Sequence, residues 1–244
     1  MFSFWHVGVD PSPWMWVLAA CVLGMACASG GLRALTAPAR LNAALGSALM
    51  LVLLWLLQAR VNGPVEVQMA GVGLVVLMFG LRGGLILLAG ATALSGLAMA
   101  AGVGLLPTSA GFEPGHAATQ YVLGCAVPAV LMRCLAAALQ RWLPNHLFVY
   151  LLGHGFFSSG LATAAALTVS AFWLDAMQVI PSNQLYNEIL PTVLLLASGE
   201  AFLTGGLTAI FVAYRPQWML SFQDARYLSR PAPERLRKQD DPRA

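Results

Sequence analysis

Long apolar runs separated by short polar punctuation repeat along nearly the whole chain. About seven of them approach the ~20 mostly apolar residues that a helix needs to cross a bilayer. They cover residues 14–32, 41–59, 67–81, 85–105, 117–139, 147–174 and 189–214. The third run is short and the fourth begins almost at once after Arg82-Gly83-Gly84, a pattern that predicts a tight antiparallel hairpin. Strands of barrel type, with alternating apolar and polar residues, are absent. Helices are the economical solution in hydrocarbon, because each backbone amide finds its partner within its own segment. The Gly155-x-x-x-Ser159 spacing and the Gly199 and Thr204 neighbourhood offer small faces for close helix contact. Pro128 and Pro191 fall inside spans and predict kinks.

Composition supports the same picture. Of 244 residues 59% are hydrophobic and 9% charged, whereas a soluble domain carries about 25% charged residues. The expected fold is an all-α integral membrane bundle over residues 1–215, followed by a cytoplasmic basic tail over 216–244, with the lipid bilayer as its solvent. A formal net charge of +3 is too small to imply a nucleic-acid partner. Its placement says more than its size. Arg33, Arg40, Arg82, Arg133, Arg141 and the tail arginines fall at alternate ends of successive spans, while Asp10, Glu66, Glu113, Asp175 and Glu188 fall at the others, with Arg60 the single basic residue among them. The positive-inside rule then sets the N-terminus outside and the C-terminus inside, as an odd number of spans requires.

No Lys or Arg precedes the first apolar run, so the segment before it does not read as a signal peptide. Phe2, Phe4 and Trp5 are expected at the membrane interface; the alternative is that this lead segment folds back into the bundle. The four cysteines, Cys21, Cys27, Cys125 and Cys134, fall within spans without metal-type spacing and read as packing residues. The last stretch of the tail, rich in Pro and Arg, is expected to be mobile.

Candidate chemistry sits at the polar groups inside the apolar runs, where each is costly and needs a reason. Glu200 falls near the middle of the seventh run, about 20 Å from its arginine-bearing end, and His154 about 10 Å from that end in the sixth. Glu200 suits an ion pathway, coordination or a polar lock between helices. His154 suits either a ligand or a histidine bonded to a neighbouring carbonyl. On the opposite side Glu66, Gln68 and His116 are candidate substrate-binding residues, and His6 and Asp10 candidate metal ligands, grouped in one outer vestibule. Imidazole and carboxylate together suit a divalent transition metal. A phosphate-binding Gly-rich loop with its Lys, a His-Glu-x-x-His motif and a Gly-x-Ser-x-Gly elbow are all missing, so neither ATP hydrolysis nor another enzymatic activity is expected.

Several segments carry a family resemblance. The run from Leu41-Asn42-Ala43 through Trp55-Leu56-Leu57, then Val67-Gln68-Met69-Ala70-Gly71, Leu77-Met78-Phe79-Gly80 and Glu200-Ala201-Phe202-Leu203-Thr204-Gly205-Gly206, with Tyr214-Arg215-Pro216-Gln217-Trp218 and Arg226-Tyr227-Leu228, resembles bacterial membrane proteins related to energy-coupling-factor permeases. The better-understood relatives are cobalt and nickel permeases. The resemblance implies seven helices in the bacterial inner membrane and a substrate-capturing subunit served by separate ATPase and coupling subunits. Cobalt or nickel would be substrate rather than cofactor. The small-residue patch at 153–160 is one surface for such a partner. In those relatives a histidine after the initiator Met and another at the mouth of a span hold the metal; here the positions are Phe2 and Gln68. The alternative is a non-transporting accessory subunit of a membrane complex that keeps the fold without the metal site.

Overall fold

A computed structural model describes residues 1–3, 13–60, 66–103, 114–144, 146–179 and 181–222. Among the described residues seven helices carry the architecture: α1 (Pro13–Ala28), α2 (Gly31–Thr36), α3 (Pro38–Leu56), α4 (Val72–Ala100), α5 (Ala117–Trp142), α6 (Val149–Ala176) and α7 (Leu185–Tyr214). Of these α4, α5, α6 and α7 are long and apolar enough to cross a membrane, with α1 and the 40–56 stretch shorter apolar helices. The chain is thus a multi-pass, helical membrane protein. Three two-residue strands, β1 (Phe2–Ser3), β2 (Ala59–Arg60) and β3 (Glu66–Val67), form a small antiparallel sheet in the order β1-β3-β2.

The expected hairpin between the third and fourth runs is present in a particular form. The 72–100 stretch is two helical arms that meet at Gly80, which has φ 70° and ψ 174°, a conformation essentially reserved for glycine. A Cβ placed on Gly84 would lie 3.5 Å from Val75 Cγ1 and 3.7 Å from the Val76 Cα. In a straight helix residues that far apart in sequence are separated by about 12–13 Å. The chain therefore reverses at Gly80, and α4 is a short arm over 72–79 laid antiparallel against a long arm over 81–100. At about 12 Å the short arm reaches less than halfway through a ~30 Å hydrocarbon core. The reversal comes two residues before the Arg82-Gly83-Gly84 expected to make it. Arg82 instead donates from Nη1 to the Ser29 carbonyl at 2.9 Å, tying the tip of the hairpin to the α1–α2 junction.

Around this broken helix α6 and α7 make the most extensive pairing among the described residues. A Cβ on Gly160 would meet the Ala201 Cβ at 3.0 Å, and one on Gly155 would meet the Gly205 Cα at 3.4 Å. The small residues at 153–160 thus serve internal packing: Gly153, Gly155, Ser158 and Ser159 are buried, so that face is not free to receive a partner. Both proline kinks appear as widened π-type turns just upstream, Val122–Ala126 before Pro128 and Leu185–Ile189 before Pro191. A proline ring collides with the carbonyl four residues back, and a wider turn moves that carbonyl aside. Cys125 is buried beside Thr92, while Cys21, Cys27 and Cys134 are exposed on the outer faces of their helices.

The lead segment departs from the interfacial expectation. Met1, Phe2 and Ser3 are buried, with Phe2 opposite Val67 and Ser3 opposite Glu66 across the β1–β3 ladder. The fold-back alternative holds for these residues, because β3 offers an open strand edge that a second extended segment can pair.

Candidate functional site

The short arm of α4 begins after an extended stretch, 68–71, that runs through the protein interior. Extended backbone at such depth is tolerated only where other protein groups satisfy it, and here the partners can be named. The Gln68 N–H donates to the Met1 carbonyl at 2.8 Å, and the Met1 amine donates to the Gln68 carbonyl. The Ala70 carbonyl accepts from Trp55 Nε1 at 3.0 Å. The Ala70 N–H donates to Glu200 Oε2 at 3.0 Å, and the neighbouring Gly71 N–H favours the same carboxylate electrostatically. Gly71, at φ 65°, then turns the chain into the helix.

Glu200 is 1% exposed and reaches this position from the middle of α7. Its carboxylate faces the start of the short arm, where unpaired N–H groups and the helix dipole favour negative charge. Thr204 Oγ1, one turn further along α7, is a long 3.5 Å from Glu200 Oε1. The carboxylate also acts electrostatically on the Met1 amine. The side chain of Met1 packs on α5: a Cβ on Gly124 would lie 2.9 Å from the Met1 Sδ. The space left beside Met1, Phe2, Ala70 and Gly124 is about 10 Å³, room for one water-sized particle at most.

A carboxamide pair extends the cluster. Gln58 Nε2 donates to Ser3 Oγ and to Gln68 Oε1, each at 3.1 Å. Gln68 Nε2 is buried with no hydrogen-bond partner among the described residues. Rotating both carboxamides by half a turn keeps the Gln58–Gln68 bond and points an oxygen where the unpaired NH2 stood. The pair can therefore present either a donor or an acceptor on the Gln68 side.

Of the expected site residues, Gln68 and Glu200 come together around Met1, and Glu66 is buried on β3 next to them in sequence. His116 is buried in the Pro114–His116 turn that leads into α5. His6 and Asp10 lie outside the described residues. His154 belongs elsewhere, beside Tyr150 at a ring separation of 5.5 Å and on the wall of a different cavity. Sequence reading missed Met1, Ser3, Gln58 and Trp55; the placement of Gln58 just before β2, as Gln68 stands just after β3, is the signal that could have found Gln58. Among the described residues, no three of His, Cys, Asp and Glu come together as a metal-binding group.

That different cavity, about 290 Å³, lies at the far end of the short arm and is lined by Gly80, Arg133, Gln140, Tyr150, His154 and Ser221 among others. A strap from the chain's C-terminal side closes over the broken helix end there. Leu220 N–H donates to the Met78 carbonyl at 3.0 Å, Ser221 N–H to the Leu77 carbonyl at 3.2 Å, and Ser221 Oγ to the same Leu77 carbonyl at 2.7 Å. These are carbonyls that a helix stopping at residue 79 leaves without intrahelical partners. Tyr150 Oη lies 2.7 Å from Ser221 Oγ, and its ring packs on Phe222.

Comparison with protein-family models, curated proteins and solved structures finds no match to this chain.

Proposed function

We propose that the chain is a substrate-binding, permease-type membrane subunit that captures a small inorganic cation at the Met1–Gln68–Glu200 cluster, energised by separate ATPase and coupling subunits. It would sit in a bacterial inner membrane with seven membrane segments, its N-terminus outside and its arginine-bearing end inside. The observation that carries this reading is a short helical arm that begins at a buried carboxylate, with a space of about 10 Å³ lined by the neighbouring Met1 and Ala70. Discontinuous membrane helices commonly build ion and substrate sites, because their ends present unsatisfied backbone groups within the bilayer. A space of that size suits a dehydrated ion and excludes an organic substrate. The groups gathered around Met1 and Ala70 are a carboxylate, a carboxamide and an amine. Oxygen-rich sets of this kind favour harder divalent ions than imidazole sites do. The uptake panel is therefore cobalt, nickel, manganese and magnesium.

Metal accumulation is measured in a strain that carries the partner subunits and lacks this chain, with the chain restored. Wild type should raise uptake of at least one ion, Glu200→Ala should abolish the gain, and Gln68→His should shift selectivity toward nickel and cobalt. Uptake of every ion at the level of the strain lacking the chain would end the transport reading.

A second reading, an accessory subunit without transport, draws on the way the cluster satisfies itself. The Met1 amine already donates to Gln68 and Glu200 already accepts from Ala70. In that case the cluster is a lock that holds the broken helix, and the chain co-purifies with a membrane complex that contains no ATPase.

A further inference from the structure

The cavity at the arginine end of the short arm has a chemistry of its own. Its wall contains a guanidinium (Arg133), an imidazole (His154), a carboxamide (Gln140) and two hydroxyls (Tyr150 and Ser221), and no carboxylate among the described residues. Met132, Arg133, Ala136 and Gln140 follow the spacing that places residues on one side of a helix, so α5 presents this stripe to the cavity. Arg133 makes no hydrogen bond or ion pair among the described residues.

Depth makes that observation informative. Helix α5 has 26 residues, about 39 Å, against a ~30 Å hydrocarbon core. Arg133 lies about 13 Å from the Trp142 end, beneath the headgroup level of a membrane that α5 crosses. Arginines at such depth face a cavity and have a counter-charge or an acceptor, because an unpaired guanidinium is costly there. The carbonyls of Leu77 and Met78, which would repel an anion, are already covered by the strap.

We propose that this cavity is a binding site for a phosphate-type oxyanion, with Arg133 as its principal contact and Gln140 as a second donor. A guanidinium fork matches two phosphate oxygens at once. The cavity approaches the ~300 Å³ lower range of small-molecule sites, enough for a phosphate group with a short polar attachment. Two sources carry this chemistry, the headgroup of an anionic phospholipid and free inorganic phosphate. The inference stands whether or not the chain transports a cation.

The test uses the full chain purified in mild neutral detergent and follows its thermal unfolding during titration. The probes are short-chain phosphatidylglycerol, short-chain phosphatidylcholine as a lipid whose headgroup carries no net charge, and inorganic phosphate. Saturable stabilisation by phosphatidylglycerol alone assigns the site to a lipid headgroup; stabilisation by inorganic phosphate as well assigns it to the phosphate group itself. In either case Arg133→Gln should raise the half-saturating concentration about tenfold, the loss expected for a charge-assisted hydrogen-bonded pair. Arg141→Gln, which removes the same charge from a residue that does not line the cavity, should leave it unchanged. Ala136→Phe keeps every charge and fills the cavity, so it should abolish saturation; it also serves if Arg133→Gln does not fold. The proposal is overturned if neither anionic probe stabilises wild type saturably, if phosphatidylcholine does so equally, or if Arg141→Gln weakens binding as much as Arg133→Gln.

Discussion

The two ends of the short arm of α4 pose one problem and solve it in opposite ways. Each end leaves backbone groups without helical partners inside a protein whose surroundings are apolar. At the start, a single carboxylate from α7 and the chain's first residue close in on 68–71, leaving about 10 Å³. At the finish, the strap covers the carbonyls from one side and leaves about 290 Å³ on the other, with Arg133 and His154 on its wall. The first solution depends on one charge that has no substitute. The second spreads over two backbone N–H groups and a hydroxyl, with polar space nearby. The difference predicts that mutations at the start are expensive and mutations at the finish cheap.

The largest effect belongs to Glu200→Ala. It strips the Ala70 N–H of its acceptor and removes the charge acting on Gly71 and Met1. Unsatisfied buried donors and a lost buried charge partner each cost ~1–3 kcal/mol or more, so a loss of ~3–5 kcal/mol is expected in denaturant unfolding of the purified chain. Glu200→Gln keeps an acceptor oxygen and should recover a substantial part of it. Equal losses for Ala and Gln would show that charge alone, and not the accepted hydrogen bonds, holds the broken helix.

Gly73→Ala comes next. A Cβ there would sit 2.9 Å from the Ser159 Cβ and 3.2 Å from the Thr204 Cγ2. Both neighbours are held by their helices, so the short arm must move away from α6 and α7 and pull its start off Glu200. Overpacking of this kind costs ~1–3 kcal/mol. Trp55→Phe is milder: it keeps the ring and deletes only the bond from Nε1 to the Ala70 carbonyl. A loss of ~1 kcal/mol, read as a lower unfolding midpoint, is expected.

Much of the fold was legible in the sequence because length and apolarity report directly on membrane crossing. The hairpin was legible too: the 67–81 run is short and the next begins almost at once after Arg82-Gly83-Gly84. Its detailed form was not, since Gly80 is one glycine among several and only its positive φ marks the reversal. Glu200 stood out because a carboxylate deep in an apolar run has no bland explanation. Its partners, the amides of Ala70 and Gly71, are backbone groups, and backbone groups leave no mark in sequence. The burial of Phe2 misled for a related reason. An aromatic lead segment is equally suited to an interface or to a strand slot, and the choice was made by the open edge of β3. His154 was already set toward the arginine-bearing end by its place in the sixth run; what the sequence did not show is that it lines a cavity with Tyr150 and Gly80.

The smallest effect, and the sharpest check on the contrast between the two ends, belongs to Ser221→Ala. The hydroxyl bonds the Leu77 carbonyl and Tyr150, so its loss looks serious on a count of bonds. The Leu77 carbonyl nevertheless retains the Ser221 N–H at 3.2 Å, and Tyr150 lines a cavity large enough for water to replace its lost partner. The cost should therefore be ~0.5–1 kcal/mol, below that of Trp55→Phe, whose carbonyl partner sits in dry packing. The strap should loosen all the same. In a chain whose only thiol is Ala136→Cys on the cavity wall, adding Ser221→Ala should speed labelling by a small polar maleimide several-fold, while Trp55→Phe should leave that rate unchanged. If Ser221→Ala instead destabilised the protein as much as Glu200→Ala, the finish of the short arm would be as dry and as dependent on a single contact as its start.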